Sequence, residues 1–126
     1  TYTADNMIID GSIDASGQTV TLKTFDPTHT IDLNATATGA NQMELSSLEL
    51  NRITANTLQI GDSNQKAIIL SGNLTALANS NDLTLSASDN IALTHDVTTA
   101  GNLVIDSAVG SITATTTANV LTGTQV

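Results

Sequence analysis

Short apolar pairs written at period two, a recurrence of roughly twenty residues, and a near absence of aromatic side chains predict an all-β chain. The architecture they predict is a parallel β-helix (β-solenoid) of about five to six rungs with short strands. Alternation at period two marks strands with one buried face. Recurrence lets each strand pair in parallel with its equivalent one unit later, so that no strand depends on an isolated hairpin. Such a stack encloses a narrow aliphatic interior without room for large rings, and the chain has one Tyr, one Phe and no Trp. A right-handed sense follows by default from the general rule for parallel crossovers.

The first pair of each unit is Val20/Leu22, Met43/Leu45, Leu58/Ile60, Leu83/Leu85 and Leu103/Ile105. A second pair follows at Ile31/Leu33, Leu48/Leu50, Ile68/Leu70, Ile91/Leu93 and Ile112/Ala114. A shorter apolar mark comes next at Ile53, Leu74, Val97 and Val120. Stacked at ~4.8 Å between neighbouring strands, these positions give three inward columns. The first is Val20, Met43, Leu58, Leu83 and Leu103; the second is Leu22, Leu45, Ile60, Leu85 and Ile105. The third is Ile31, Leu48, Ile68, Ile91 and Ile112. Small or polar residues precede the pairs, as expected where the backbone bends between sheets. Loops of unequal length, such as 61–66 against 86–89, project outward and make the period loose.

One domain over 1–126 is expected: 1–18 as an irregular first rung or an exchangeable terminal segment, 19–117 as regular rungs, and 118–126 as a strand-like tail. The competing class is an antiparallel β-sandwich, which also has short strands and frequent turns. Asp10-Gly11 is a possible hairpin turn, but tight Asn-Gly or Asp-Gly turns are lacking elsewhere.

At 57–72, TLQIGDSNQKAIILSG, and at 81–93, NDLTLSASDNIAL, the chain resembles the repeat region of filamentous-haemagglutinin-like adhesins. These are the large exoproteins of bacterial two-partner secretion. Their repeats read L-x-I-G, a short polar loop, I-x-L and then G-x-L-x-L, and the likeness runs over roughly 20–120. The resemblance implies a secreted or surface-bound bacterial protein with an extended β-helical shaft. It carries over no binding residue, because the repeat is scaffold. The family's N-terminal secretion motifs are not recognisable here, and the chain opens on Thr1. A segment of a longer exoprotein, or a small solenoid working by itself, is expected.

Composition narrows the function further. Twelve acidic residues against three Lys and Arg give a net charge of −9. That leaves no basic footprint for nucleic acid or for an anionic membrane surface. No apolar run is long enough to insert into a membrane. Without cysteine, disulfides and thiolate metal sites are excluded. The expected partners are further copies stacked end to end, adjoining repeats of a longer chain, or a host or cell-surface glycan.

Few constellations suggest chemistry. Asp32 and Glu49 fall at the outward middle position of the second strand in adjacent rungs, where like charges repel. Ca²⁺ is the cofactor such a pair would take, because hard cations bind carboxylate oxygens; otherwise no cofactor is expected. Asp89, His95 and Asp96 are polar neighbours without a nucleophile motif. Lys23, Arg52 and Lys66 are scattered, which disfavours a polysaccharide-cleaving enzyme that must stabilise developing charge.

A Thr column that could face ice is broken by Glu44 and Gln59, and Asn34-Ala-Thr and Asn73-Leu-Thr fit the glycosylation pattern. Ile69, Ala92 and Val104 make the later exterior more apolar. Neither terminus reads as a cap, so unpaired strand edges are expected at both ends. The sequence therefore points to a non-enzymatic extracellular structural protein, an adhesin shaft segment or a self-assembling surface filament subunit. The alternative is a cell-surface module recognising a glycan or cation through outward loops such as 61–66.

Overall fold

The computed structural model describes residues 1–35, 39–75, 77, 79–114 and the strand at 121–125. The chain is mostly β and forms two parallel sheets. In chain order the elements are β1 (Tyr2–Thr3), β2 (Ile13–Lys23), β3 (Thr30–Leu33), β4 (Gln42–Leu45), α1 (Ser47–Leu50) and β5 (Ile53–Gly61). They continue with β6 (Ala67–Leu70), β7 (Ser80–Ala87), β8 (Ile91–Leu93), β9 (Val97–Ser107), β10 (Ile112–Ala114) and β11 (Leu121–Gln125). The larger sheet runs β1-β2-β5-β7-β9-β11 and the smaller β4-β3-β6-β8-β10. The chain passes from the larger sheet to the smaller and back, pairing each strand with the one laid down a pass earlier.

Every pairing is parallel, as period-two strands without hairpin turns require. Val20, Leu58, Leu83 and Leu103 stand in register, as do Leu22, Ile60, Leu85 and Ile105. In the smaller sheet Ile31, Ile68, Ile91 and Ile112 align, and beside them Leu33, Leu70 and Leu93. The buried members of both sheets belong to one aliphatic cluster, which Ile9, Leu50, Ile53, Leu74, Leu77 and Val97 join. Two glycines are required by the backbone. Gly17, at φ +76°, bends β2 where its register with β5 slips. Gly61, at φ +77°, lets β5 turn where an added Cβ would lie 2.2 Å from the Ser86 carbonyl oxygen.

The structure departs from the expected columns between 34 and 52. Met43 and Leu45 do not stack on Val20 and Leu22. They lie in the other sheet, on Ile31 and Leu33, because β4 pairs with β3. Leu48 and Leu50 do not form a strand, because Ser46 starts a helical turn. Its hydroxyl accepts from the Glu49 N–H, and the Glu49 carboxylate accepts from the Ser46 N–H, a capping box. Leu50 is buried on the inner side of α1, while Leu48, expected in the core, is 76% exposed. Ile112 is also 49% exposed, since β10 is the last strand of its sheet and the column ends there. Ile105 is half-buried; the described pairing of β11 with β9 extends only to Leu103.

The step from Val20 to Leu58 is accordingly 38 residues, against 25 from Leu58 to Leu83 and 20 from Leu83 to Leu103. The first pass contains an excursion, not an additional rung, and four passes between the sheets result.

The excursion doubles back. From β3 the chain turns at Asn34 and reaches β4 after Asn41, both in the left-handed region that Asn tolerates. The Gly39 N–H donates to Glu44 Oε1 on the outer face of the sheet. β4 lies on the opposite side of β3 from β6.

The first layer is therefore assembled from two parts of the chain, β1 and β4, with Leu50 of α1 and Ile9 buried in the core cluster. Ile9 and Leu50 are buried at that end, while Tyr2, Ile8 and Leu48 beside them are exposed. Val120 lies outside the described residues, as do 115–119 and Val126.

Leu85→Asp or Ile91→Asp places an unpaired carboxylate in the shared core and is expected to destabilise the fold by about 4 kcal/mol or more. Leu48→Asp, on the exposed face of α1, is expected to change stability by no more than about 0.5 kcal/mol. Thermal unfolding followed by circular dichroism distinguishes the two. Equal, mild losses would contradict the columns.

Candidate functional site

One group of polar side chains comes together at the corners where the chain leaves the larger sheet for the smaller. The corner after β2 and the corner after β5 are stacked. Lys66 donates its N–H to Pro27 O at 2.9 Å, and Asp89 in the next corner donates to Lys66 O at 2.9 Å. Asp62 organises the second corner, accepting from the N–H groups of Asn64 and Gln65 at 2.9 and 3.1 Å. Its other oxygen pairs with Lys23 Nζ at 2.6 Å. Gln65 lies buried between the corners: Thr24 Oγ1 donates to its Oε1 at 2.9 Å, and its Nε2 donates to His29 O.

Burial pushes the Asp62 carboxyl up, but the hydrogen bonds and charge of Lys23 and the two turn N–H groups outweigh it and hold the pKa below its ordinary value. Two shallow hollows flank these corners. One of about 250 Å³ is lined by Lys23, Thr24, Phe25, Pro27, Asp62 and neighbouring amides. The other, about 320 Å³, lies between Pro27, Asn64, Lys66 and Asp89. Phe25 projects beside the first and is 77% exposed.

The residues singled out from the sequence are only partly brought together. Asp32 and Glu49 are not neighbours. Glu49 sits in α1, where Oε2 accepts from the Ser46 N–H and hydroxyl at 2.9 and 2.7 Å. Its Oε1 accepts the Ile9 N–H at 3.1 Å. Burial raises its pKa, but these bonds and the charge of Arg52 outweigh burial and lower it. Glu49 thus ties the first residues of the chain to α1, and Arg52 adds a bond from Nη1 to Ile9 O.

The residue in register with Asp32 is Glu44. Sequence reasoning missed it, although Met43-Glu44-Leu45 repeats Ile31-Asp32-Leu33 type for type. Asp89 and His95 stand before and after β8, at opposite ends of it; His95 Nδ1 lies 3.1 Å from Leu70 O. His29 lies 3.7 Å from Asp5 and 3.9 Å from Asp26.

Both glycosylation-pattern asparagines belong to the turn ladder. Asn34 Nδ2 donates to Asn73 O at 2.8 Å, and Asn73 Oδ1 accepts the Asp96 N–H at 3.2 Å. Ile69, Ala92 and Val104 are half-buried, not exposed. Among the described residues no three His, Asp or Glu side chains converge on one point, and no helix is long and apolar enough to cross a membrane. Family models, curated proteins and solved structures offer no match to this chain.

Because Asp62 and Glu49 are held below their ordinary pKa values, their stabilisation is complete above the unfolded carboxyl range and is lost as pH falls through the folded values. The thermal midpoint is expected to stay level from about pH 7 to pH 5 and to fall below about pH 4.5. The double variant Glu49→Gln/Asp62→Asn should decline less steeply. Thermal melts across this range test it, and parallel declines would exclude these two groups as the cause.

Proposed function

We propose that the chain is a non-enzymatic structural segment: a parallel β-solenoid whose two sheets are faces of one coil, serving as a rigid extracellular shaft or as a filament subunit. The observation that carries this reading is where the apolar surface lies. Among the described residues the large exposed hydrophobic side chains are Tyr2, Ile8, Phe25, Leu48, Val109 and Ile112. Tyr2, Ile8 and Leu48 belong to the first layer, Phe25 to the corner of the first pass, and Val109 and Ile112 to the last pass. Among the described residues the central stretch from β5 to β8 contributes none.

The sheet edges agree. β1 and β4 end the sheets on one side, β10 and β11 on the other, and edge strands invite further pairing. The sides are acidic and polar, and a net charge of −9 opposes lateral association. Stiffness along the axis, solubility around it and apolar strand edges at its ends suit a longitudinal building element. The resemblance of 57–72 and 81–93 to filamentous-haemagglutinin-like repeats supports the same assignment, including a secreted, bacterial surface location.

A second reading has one observation in its favour. Phe25 is an exposed aromatic ring beside the polar corner at 61–66, an arrangement that can stack a sugar and hydrogen-bond its hydroxyls. Glycan-array binding lost in Phe25→Ala would support a binding module.

The structural reading predicts concentration-dependent, end-to-end association at neutral pH, strengthened as salt screens the acidic surface. Ile112→Lys should reduce it without lowering the thermal midpoint. Sedimentation velocity combined with electron microscopy tests this. Side-by-side bundles, or a monomer at all concentrations and salt levels, would contradict it.

A further inference from the structure

We infer that Asp32 and Glu44 form a site for a hard divalent cation, Ca²⁺, on the outer face of the smaller sheet. The two residues are Cα partners in the parallel β3–β4 pair, so their side chains leave the same face. That face points outward, because Ile31, Leu33, Met43 and Leu45 at the alternate positions are buried in the core. Two carboxylates directly opposed on neighbouring strands repel. A solvated pair would tolerate this, but Asp32 is not solvated: the residue is only 7% exposed. Its Oδ1 is buried and has no hydrogen-bond partner among the described residues.

Among the described residues no compensating cation pairs with either carboxylate. The ion pairs among the described residues join Lys23 to Asp62, His29 to Asp5 and Asp26, and Arg52 to Asp10. On its other side in the ladder Asp32 meets Ile69, which offers it nothing. Glu44 is positioned, not free to swing away, since Oε1 accepts the Gly39 N–H at 3.0 Å. A buried carboxylate oxygen lacking any donor, next to a second anchored carboxylate, is the environment a bound cation relieves.

The donors are all oxygen, which selects Ca²⁺ or a similar hard ion over zinc or copper. Two carboxylates are few for such an ion, so backbone carbonyls and water complete the shell and affinity falls in the range of about 10⁻⁴–10⁻³ M typical of extracellular modules. The site joins the first layer to the first pass, so occupancy would hold β4 against β3. This inference rests on the geometry of β3 and β4 and stands independently of the structural role proposed above.

Thermal melts of the purified chain with about 10 mM CaCl₂, against NaCl of equal ionic strength, test it. The native sequence and the control Asp106→Asn, an exposed carboxylate, should each gain about 5 °C. Glu44→Gln and Asp32→Asn should gain nothing, and calorimetric titration with CaCl₂ should show one site in the native chain that is absent from Glu44→Gln. The titration of Glu44→Gln settles the matter if Asp32→Asn fails to fold. Equal gains in all four proteins would reveal diffuse screening of the acidic surface and overturn the site. So would the absence of any gain, or of titration heat, in the native chain.

Discussion

Parallel pairing is the constraint from which the rest of the molecule follows. Two parallel neighbours cannot be joined by a tight turn, because the chain must first return to the end where the earlier strand began. Here each sheet serves as the return path for the other. β6 carries the chain back between β5 and β7, and β7 carries it back between β6 and β8. The arrangement explains why the repeat is loose while the register shifts only by even numbers of residues, as between β2 and β5. Corners vary in length without disturbing the ladder, but an odd shift within a strand would turn Leu58 or Ile68 away from the core. It also explains the lack of aromatics: with aliphatic side chains entering from both sheets in register, each layer has space for Leu, Ile and Val.

The same constraint accounts for the asymmetry of the two ends. Because every strand needs a neighbour laid down a pass earlier, the first pass has none. The chain supplies one by doubling back through β4 and by laying β1 alongside β2. Ile9 and Leu50 are buried at that end, and the Glu49 carboxylate accepts the Ile9 N–H that would otherwise be stranded. Doubling back has its own electrostatic consequence. It places Glu44 beside Asp32 in the ladder, so that a buried carboxylate stands next to a half-buried one on the outer face of the sheet. At the opposite end the apolar column stops at Ile112, half-exposed on the last strand of its sheet.

The columns through Val20, Leu58, Leu83 and Leu103 and through Ile31, Ile68 and Ile91 were legible because period-two alternation reports the buried face directly. The segment 42–50 was misread for a physical reason. Met43-Glu44-Leu45 carries the strand pattern but not the identity of its sheet, and the likeness to Ile31-Asp32-Leu33 was the available clue. Leu48-Glu49-Leu50 alternates like a strand, yet Ser46 and Glu49 stand three apart, the spacing of a capping box, and that local interaction overrode the alternation. The corner around Asp62 and Gln65 was hidden for another reason. Its hydrogen bonds connect residues some forty positions apart, a distance set by the excursion. Asp32 stands out in the sequence as an outward carboxylate with an acidic neighbour, but which residue that neighbour is depends on register, which composition does not fix.

The central claim is that the strands pair in parallel with Leu58 over Leu83 and Ile68 over Ile91. Nuclear Overhauser spectroscopy of the isotopically labelled chain at neutral pH tests it most directly. The account predicts Hα-to-amide contacts between β5 and β7 and between β6 and β8 in this register, with methyl contacts linking each column. Strong Hα-to-Hα contacts between neighbouring strands would be the signature of antiparallel pairing and would contradict it.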